Sequence, residues 1–219
     1  MEHATASISL GGIELSADIA LPSRSRALVL FAHGSGSSRL SPRNRHVADE
    51  LNRGAFGTIL IDLLTAEEDA VDLHPADLRF DIPLLGQRLT AITDWACRQP
   101  DLKQMALGYF GASTGAAAAL VSAADRPTIV KAVVSRGGRP DLAGAALHAV
   151  HAPTLFIVGG DDTAVLDLNC SAMEKLPGHT EHKLEIVPGA SHLFEEPGAL
   201  DRVAAMARAW FHQHLTPGC

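Results

Sequence analysis

Residues 105–120 read MALGYFGASTGAAAAL. Met105 to Tyr109 is a short apolar run of the kind a buried strand carries, and Ala116 to Leu120 has the alanine-rich composition of a helix. Between them lies Gly111-Ala112-Ser113-Thr114-Gly115, which matches Gly-x-Ser-x-Gly. In a strand-to-helix setting this spacing makes a nucleophile elbow, a strained turn that lifts the serine hydroxyl above the sheet edge. A Cβ at position 111 or 115 would crowd neighbouring backbone, which is why both are glycine. The helix that follows aims its unpaired N–H groups at the serine, where they can face a developing negative charge. The pattern is common by itself. It gains weight if a carboxylate and a histidine follow, each after its own strand.

Upstream of the elbow, residues 5–10 and 13–21 alternate apolar and polar around Gly11-Gly12, which predicts an antiparallel hairpin. Ala27 to Ala32 predicts a buried strand running into a glycine-serine loop, His33-Gly34-Ser35-Gly36-Ser37-Ser38. A helix is expected over Arg43–Arg53, a strand over Phe56–Leu63 and a helix over Ile82–Arg98. Residues 64–80 form an acidic connection with no clear period, a candidate lid. Downstream, strands are expected over Ile129–Val134, Pro153–Val158 and Leu184–Val187. Helices are expected over 141–149, Leu166–Leu176 and 198–214. Apolar strands alternating with helices predict one α/β domain over 1–219, with a mainly parallel sheet covered on both faces and the hairpin as its antiparallel edge. Ligands in such sheets bind beyond the carboxyl ends of the strands.

The composition is 47% apolar with a net charge of −7 and no block of like charges, which argues against nucleic acid or an anionic membrane as a main partner. No apolar run approaches the roughly 20 residues of a membrane span. The N-terminal residues MEHATASISLGG lack the pattern of a secretory signal. Three cysteines, Cys97, Cys170 and Cys219, without a CxxC fit a reducing, cytoplasmic setting.

Asp162 stands 49 residues after Ser113, and His192 stands 30 after that, each on a loop that follows an expected strand. Serine, acid, histidine is the chain order of one known triad arrangement. The chemistry demands these types. A serine hydroxyl is a poor nucleophile near neutral pH, so a histidine must take its proton and later return it to the leaving group. A carboxylate must hold the imidazole in one tautomer. The oxyanion needs fixed N–H donors, expected from Thr114 and from Ser35 or Gly36. Asp161 competes with Asp162 for the acid role.

The stretches LFAHGSGSS, GYFGASTGAAAAL, PTLFIVGGDDTAV and IVPGASHLF resemble the α/β-hydrolase superfamily, specifically its dienelactone-hydrolase-like branch, in order and over nearly the whole chain. The resemblance implies the α/β-hydrolase fold without a large lid insertion. It carries the acid role to Asp162 through Gly159-x-x-Asp162-x-x-Val165 and the base to His192 with Phe194. Dienelactone hydrolases proper use a cysteine nucleophile. With Ser113 in its place, the resemblance implies a small carboxylic ester or thioester as substrate, and neither cofactor nor metal. The chain is also similar to a small bacterial group sometimes fused to a phosphoribosyltransferase domain.

Arg136 and Arg139 follow a strand and are expected on the same rim, where they could clamp a substrate carboxylate or phosphate; Arg79 could join them. Their plainer role is a salt bridge to Asp141 or to the acidic connection. His33 is expected to prop the oxyanion loop, and His179-x-x-His182 lacks a third metal ligand. Two other classes compete with the hydrolase. One is a nucleotide-binding protein using the loop at Gly34, which departs from Gly-x-Gly-x-x-Gly at Arg39. The other is a non-catalytic or acyl-transfer member of the same fold.

Overall fold

Six-residue runs such as Ala27–Ala32 and Thr154–Gly159 are buried along their whole length, as strands covered on both faces must be. They belong to an eight-stranded sheet in a computed structural model that describes residues 2–23, 25–72 and 77–216. In chain order the strands are β1 (Glu2–Leu10), β2 (Ile13–Leu21), β3 (Ala27–Ala32), β4 (Gly57–Ile61), β5 (Ala106–Ala112), β6 (Val130–Arg136), β7 (Thr154–Gly159) and β8 (His182–Val187). Their spatial order is β1-β2-β4-β3-β5-β6-β7-β8. The β1–β2 and β2–β4 pairs are antiparallel and the other five are parallel. This is the expected architecture, with β5 near the middle.

The helices are α1 (Pro42–Arg53), α2 (Ala66–Val71), α3 (Ile82–Ala96), α4 (Thr114–Asp125), α5 (Thr163–Met173) and α6 (Ala199–Leu215). Helices α3, α4 and α5 pack an apolar core on one face of the sheet, and α1 and α6 pack a second core on the other. Several elements differ from expectation. The strand expected over Phe56–Leu63 is shorter, Gly57–Ile61. Helix α5 begins three residues earlier than expected, because Asp162 stands directly before its first turn. Residues Pro140–Ala149 form 3-10 turns broken at Gly144, whose φ of 56° suits glycine.

The connection over 64–80 is more ordered than its lack of period suggests. Thr65 and Glu68 cap α2 reciprocally, each side chain accepting the other residue's backbone N–H. Arg88 of α3 grips Glu68 through both carboxylate oxygens, and that pairing holds the Glu68 carboxyl below its ordinary range. Residues 73–76 of the connection lie outside the described residues, as does Cys219. Cys97 and Cys170 are free and exposed. Among the described residues, no helix is long and apolar enough to cross a membrane.

Candidate active site

Ser113 sits between β5 and α4 with φ 51° and ψ −121°, backbone values that an L-residue holds only when its surroundings impose them. Those surroundings are visible. Its N–H donates to the Arg136 carbonyl at 3.2 Å, and its own carbonyl accepts the Arg139 N–H at 3.0 Å. A Cβ on Gly115 would lie 2.3 Å from the Ala32 carbonyl oxygen, and one on Gly111 would lie 2.5 Å from Ala116 Cα. Both glycines of the motif therefore let backbone segments touch.

Asp162 follows β7 in the capping position of α5, yet makes no side-chain bond to that helix. Its Oδ2 instead accepts a 2.6 Å hydrogen bond from His192 Nδ1. A carboxylate can only accept, so Nδ1 carries the proton of this bond, and in the neutral imidazole the lone pair lies on Nε2. The neighbour Asp161 uses its backbone N–H to bind the Ala190 carbonyl, which joins the acid loop to the histidine loop. The histidine loop closes on itself through the Ser191 N–H, which donates to Glu196 at 3.0 Å and keeps the Glu196 carboxyl low.

Ser113 and His192 stand on the same rim but share no hydrogen bond in this structure; the His192 side chain bonds to Asp162. The segment between them is Arg136-Gly137. The Arg136 carbonyl holds Ser113, and the Gly137 α-carbon, at φ 50°, faces the His192 carbonyl.

The expected oxyanion donors are arranged unequally. The Ser35 N–H donates to Thr114 Oγ1 at 2.8 Å and is spent on that bond. The Gly36 N–H makes no hydrogen bond among the described residues, and its α-carbon at φ 68° faces open space. The Thr114 N–H opens α4, where the first N–H groups have no helical partner. His33 props this loop from beneath. It accepts the Leu63 N–H on Nε2 at 3.1 Å, so its Nδ1 donates to the Gly34 carbonyl at 2.9 Å. Burial depresses its pKa and keeps it neutral.

The three arginines lie close to the rim, each with an internal partner. Arg139 binds both oxygens of Asp141, at 2.9 and 2.8 Å. Arg79 binds the buried Asp72 at 2.7 Å. Arg136 is 6% exposed, donates to Asn44 Oδ1 at 3.2 Å and stacks on Phe194. Each guanidinium is engaged by a neighbour, and Arg79 also lines the recess beside the elbow. His179 pairs with His151 at 2.9 Å, while His182 turns to its own loop. A small recess bounded by Ser35, Gly36, Thr114, Leu85 and Arg79 opens beside the elbow. A larger hollow of about 400 Å³ lies between the hairpin and α1 and is lined by none of Ser113, Asp162 and His192.

A sequence model of the dienelactone hydrolase family matches residues 79–215, which carry the elbow, the acid loop and the histidine loop. The chain belongs to the dienelactone hydrolase family. This family member is 54% identical to a crystal structure described as a dienelactone hydrolase from Anabaena variabilis, covering 98% of this chain and 99% of that one with a TM-score of 0.95. Est1E from Butyrivibrio proteoclasticus shares the fold at 16% identity, with a TM-score of 0.79 over 95% of this chain and 98% of that one. A Mycobacterium tuberculosis protein provisionally named a phosphoribosyl transferase is 54% identical over 205 residues, 94% of this chain and 45% of that protein. The dienelactone hydrolase family member thus spans less than half the length of that relative. Its fold is the α/β-hydrolase fold.

Proposed function

We propose that the protein is a serine hydrolase of small carboxylic esters or thioesters. The observation that carries this reading is the 2.6 Å hydrogen bond from His192 to Asp162, on the same rim as a serine held at φ 51°. In the first half-reaction His192 Nε2 takes the Ser113 proton as Oγ bonds to the substrate carbonyl carbon. The carbonyl electron pair moves to oxygen, where the N–H groups of Thr114 and Gly36 are the donors. The pair then returns, the bond to the leaving alcohol or thiol breaks, and His192 gives that group its proton. Water repeats the sequence on the acyl-enzyme and restores Ser113. The proton transfer requires the Ser113 hydroxyl and His192 Nε2 to come within hydrogen-bond reach. The small recess beside the elbow is in keeping with small substrates, and the free Cys97 and Cys170 support a reducing, cytoplasmic setting.

A fluorophosphonate probe tests this directly. It is expected to label Ser113 covalently, and Ser113→Ala is expected to abolish labelling and lower turnover of short-chain p-nitrophenyl esters on the order of a million-fold. A folded protein that takes no label would favour a non-catalytic binding role.

A further inference from the structure

Arg136 is the residue at which three site-bearing segments meet. Its carbonyl accepts the Ser113 N–H at 3.2 Å. Its guanidinium donates to Asn44 Oδ1, on the first turn of the helix that follows the oxyanion loop. The same guanidinium lies 5.8 Å from the ring centroid of Phe194, two residues after His192. The next residue, Gly137, donates its N–H to the Ile157 carbonyl at 2.8 Å and packs against the histidine loop so closely that an added Cβ would stand 3.1 Å from the His192 carbonyl.

Stability does not explain the charge. Arg136 has no carboxylate partner among the described residues, and its Nε is buried without an acceptor. Burial, together with the nearby Arg43, pushes its pKa down to about 10. An apolar side chain of similar volume commonly serves a core as well or better than a buried ion. Phe194 is also costly, since a bulky residue at φ 57° persists only where its surroundings over-determine it. The ring is held between the apolar core of α1 and α6 and the guanidinium, where a cation over an aromatic face is most effective because water is excluded.

We infer that Arg136 is a positioning residue that sets the separation of Ser113 from His192, its main chain fixing the elbow and its guanidinium, through Phe194, fixing the histidine loop. The inference rests on the hydrolase reading above for its catalytic consequence, but the strut itself is a matter of geometry.

Arg136→Met keeps the length and the apolar stem and removes the charge, and Arg136→Lys keeps the charge without the flat fork. With p-nitrophenyl acetate, Arg136→Met is expected to lower kcat roughly 10–100-fold, as loss of near-attack geometry does, with KM within about threefold. Arg136→Lys is expected to recover part of that loss. The proton of the short His192–Asp162 hydrogen bond is expected to give a far-downfield resonance in the wild type and to broaden or vanish in Arg136→Met. Phe194→Leu is expected to reproduce both effects, and the double variant to be no slower than the slower single, because both act through one contact. Should Arg136→Met fail to fold, Arg136→Lys and Phe194→Leu carry the same measurements. An unchanged kcat, or a lower melting temperature with the downfield proton as in the wild type, overturns the strut. A wild-type protein that neither takes the probe nor turns over esters sinks the hydrolase reading alone, and the downfield resonance, which needs no substrate, still decides the strut.

Discussion

Each face of the sheet buries a polar cluster beneath the site, and the two are built in opposite ways. On the α3 and α4 face, the Tyr109 hydroxyl bonds Thr93 at 2.5 Å and Ser122 at 2.8 Å, and Ser122 bonds Thr90 at 2.9 Å. Burial pushes the Tyr109 pKa up to about 12, so the net stays neutral. Hydroxyls donate and accept, and a few of them can satisfy one another completely. On the α1 and α6 face, Arg136 can only donate, and it finds one amide oxygen and a ring. The first cluster pins three elements of the core together at little risk. The second keeps an expensive charge beside the histidine loop. The contrast separates a device for stability from one for geometry.

The largest effect should fall on the loops above the charged cluster. Asp162→Asn gives His192 a partner that can donate and so stabilise the wrong tautomer. Turnover of p-nitrophenyl acetate is expected to drop about 10⁴-fold, with little change in melting temperature. On the other face the order reverses. Tyr109→Phe is expected to cost about 1 kcal/mol in denaturant unfolding, because Thr93 keeps its bond to the Leu89 carbonyl and Ser122 keeps Thr90. Its kcat should stay close to that of the wild type, and a large fall in kcat would erase the contrast between the faces. The smallest effect belongs to His33, which bonds the Gly34 carbonyl and the Leu63 N–H under the oxyanion loop. Its folded pKa lies below the ordinary value of 6.5, chiefly through burial. The unfolded chain therefore binds a proton that the folded chain refuses, so stability is full above about 6.5 and is lost as pH falls through the folded value. Melting temperatures over pH 5 to 8 should decline on the acid side, and less so in His33→Gln. His214 is depressed by burial in the same sense, and comparison of the two proteins cancels it.

The fold was legible because the apolar runs of β3, β5, β6, β7 and β8 each end in a loop of glycine and polar residues, a pattern that a parallel sheet repeats. The elbow and the acid–histidine pairing were legible for the same reason, since loops after strands share one rim. The choice of Asp162 over Asp161 rests on a side-chain direction that sequence suggests only through resemblance. The α2 helix had a signal in Thr65-Ala66-Glu67-Glu68, a capping box hidden in a stretch too short to show a period. Arg136 was misleading. An arginine after a strand reads as a rim residue, but β6 turns this one to the α1 and α6 face, where Phe194 and Asn44 cover it. The commitment of the Ser35 N–H to Thr114 was beyond reach, because it joins residues 79 apart.

That bond from Ser35 to Thr114 has a temporal meaning. The loop after β3 leaves the ribosome long before its anchor at the start of α4 exists. No fragment short of the elbow can hold the loop in its final shape. Competence thus arrives as a certificate that the central sheet has closed, and any slackening that parts β3 from β5 withdraws it at once.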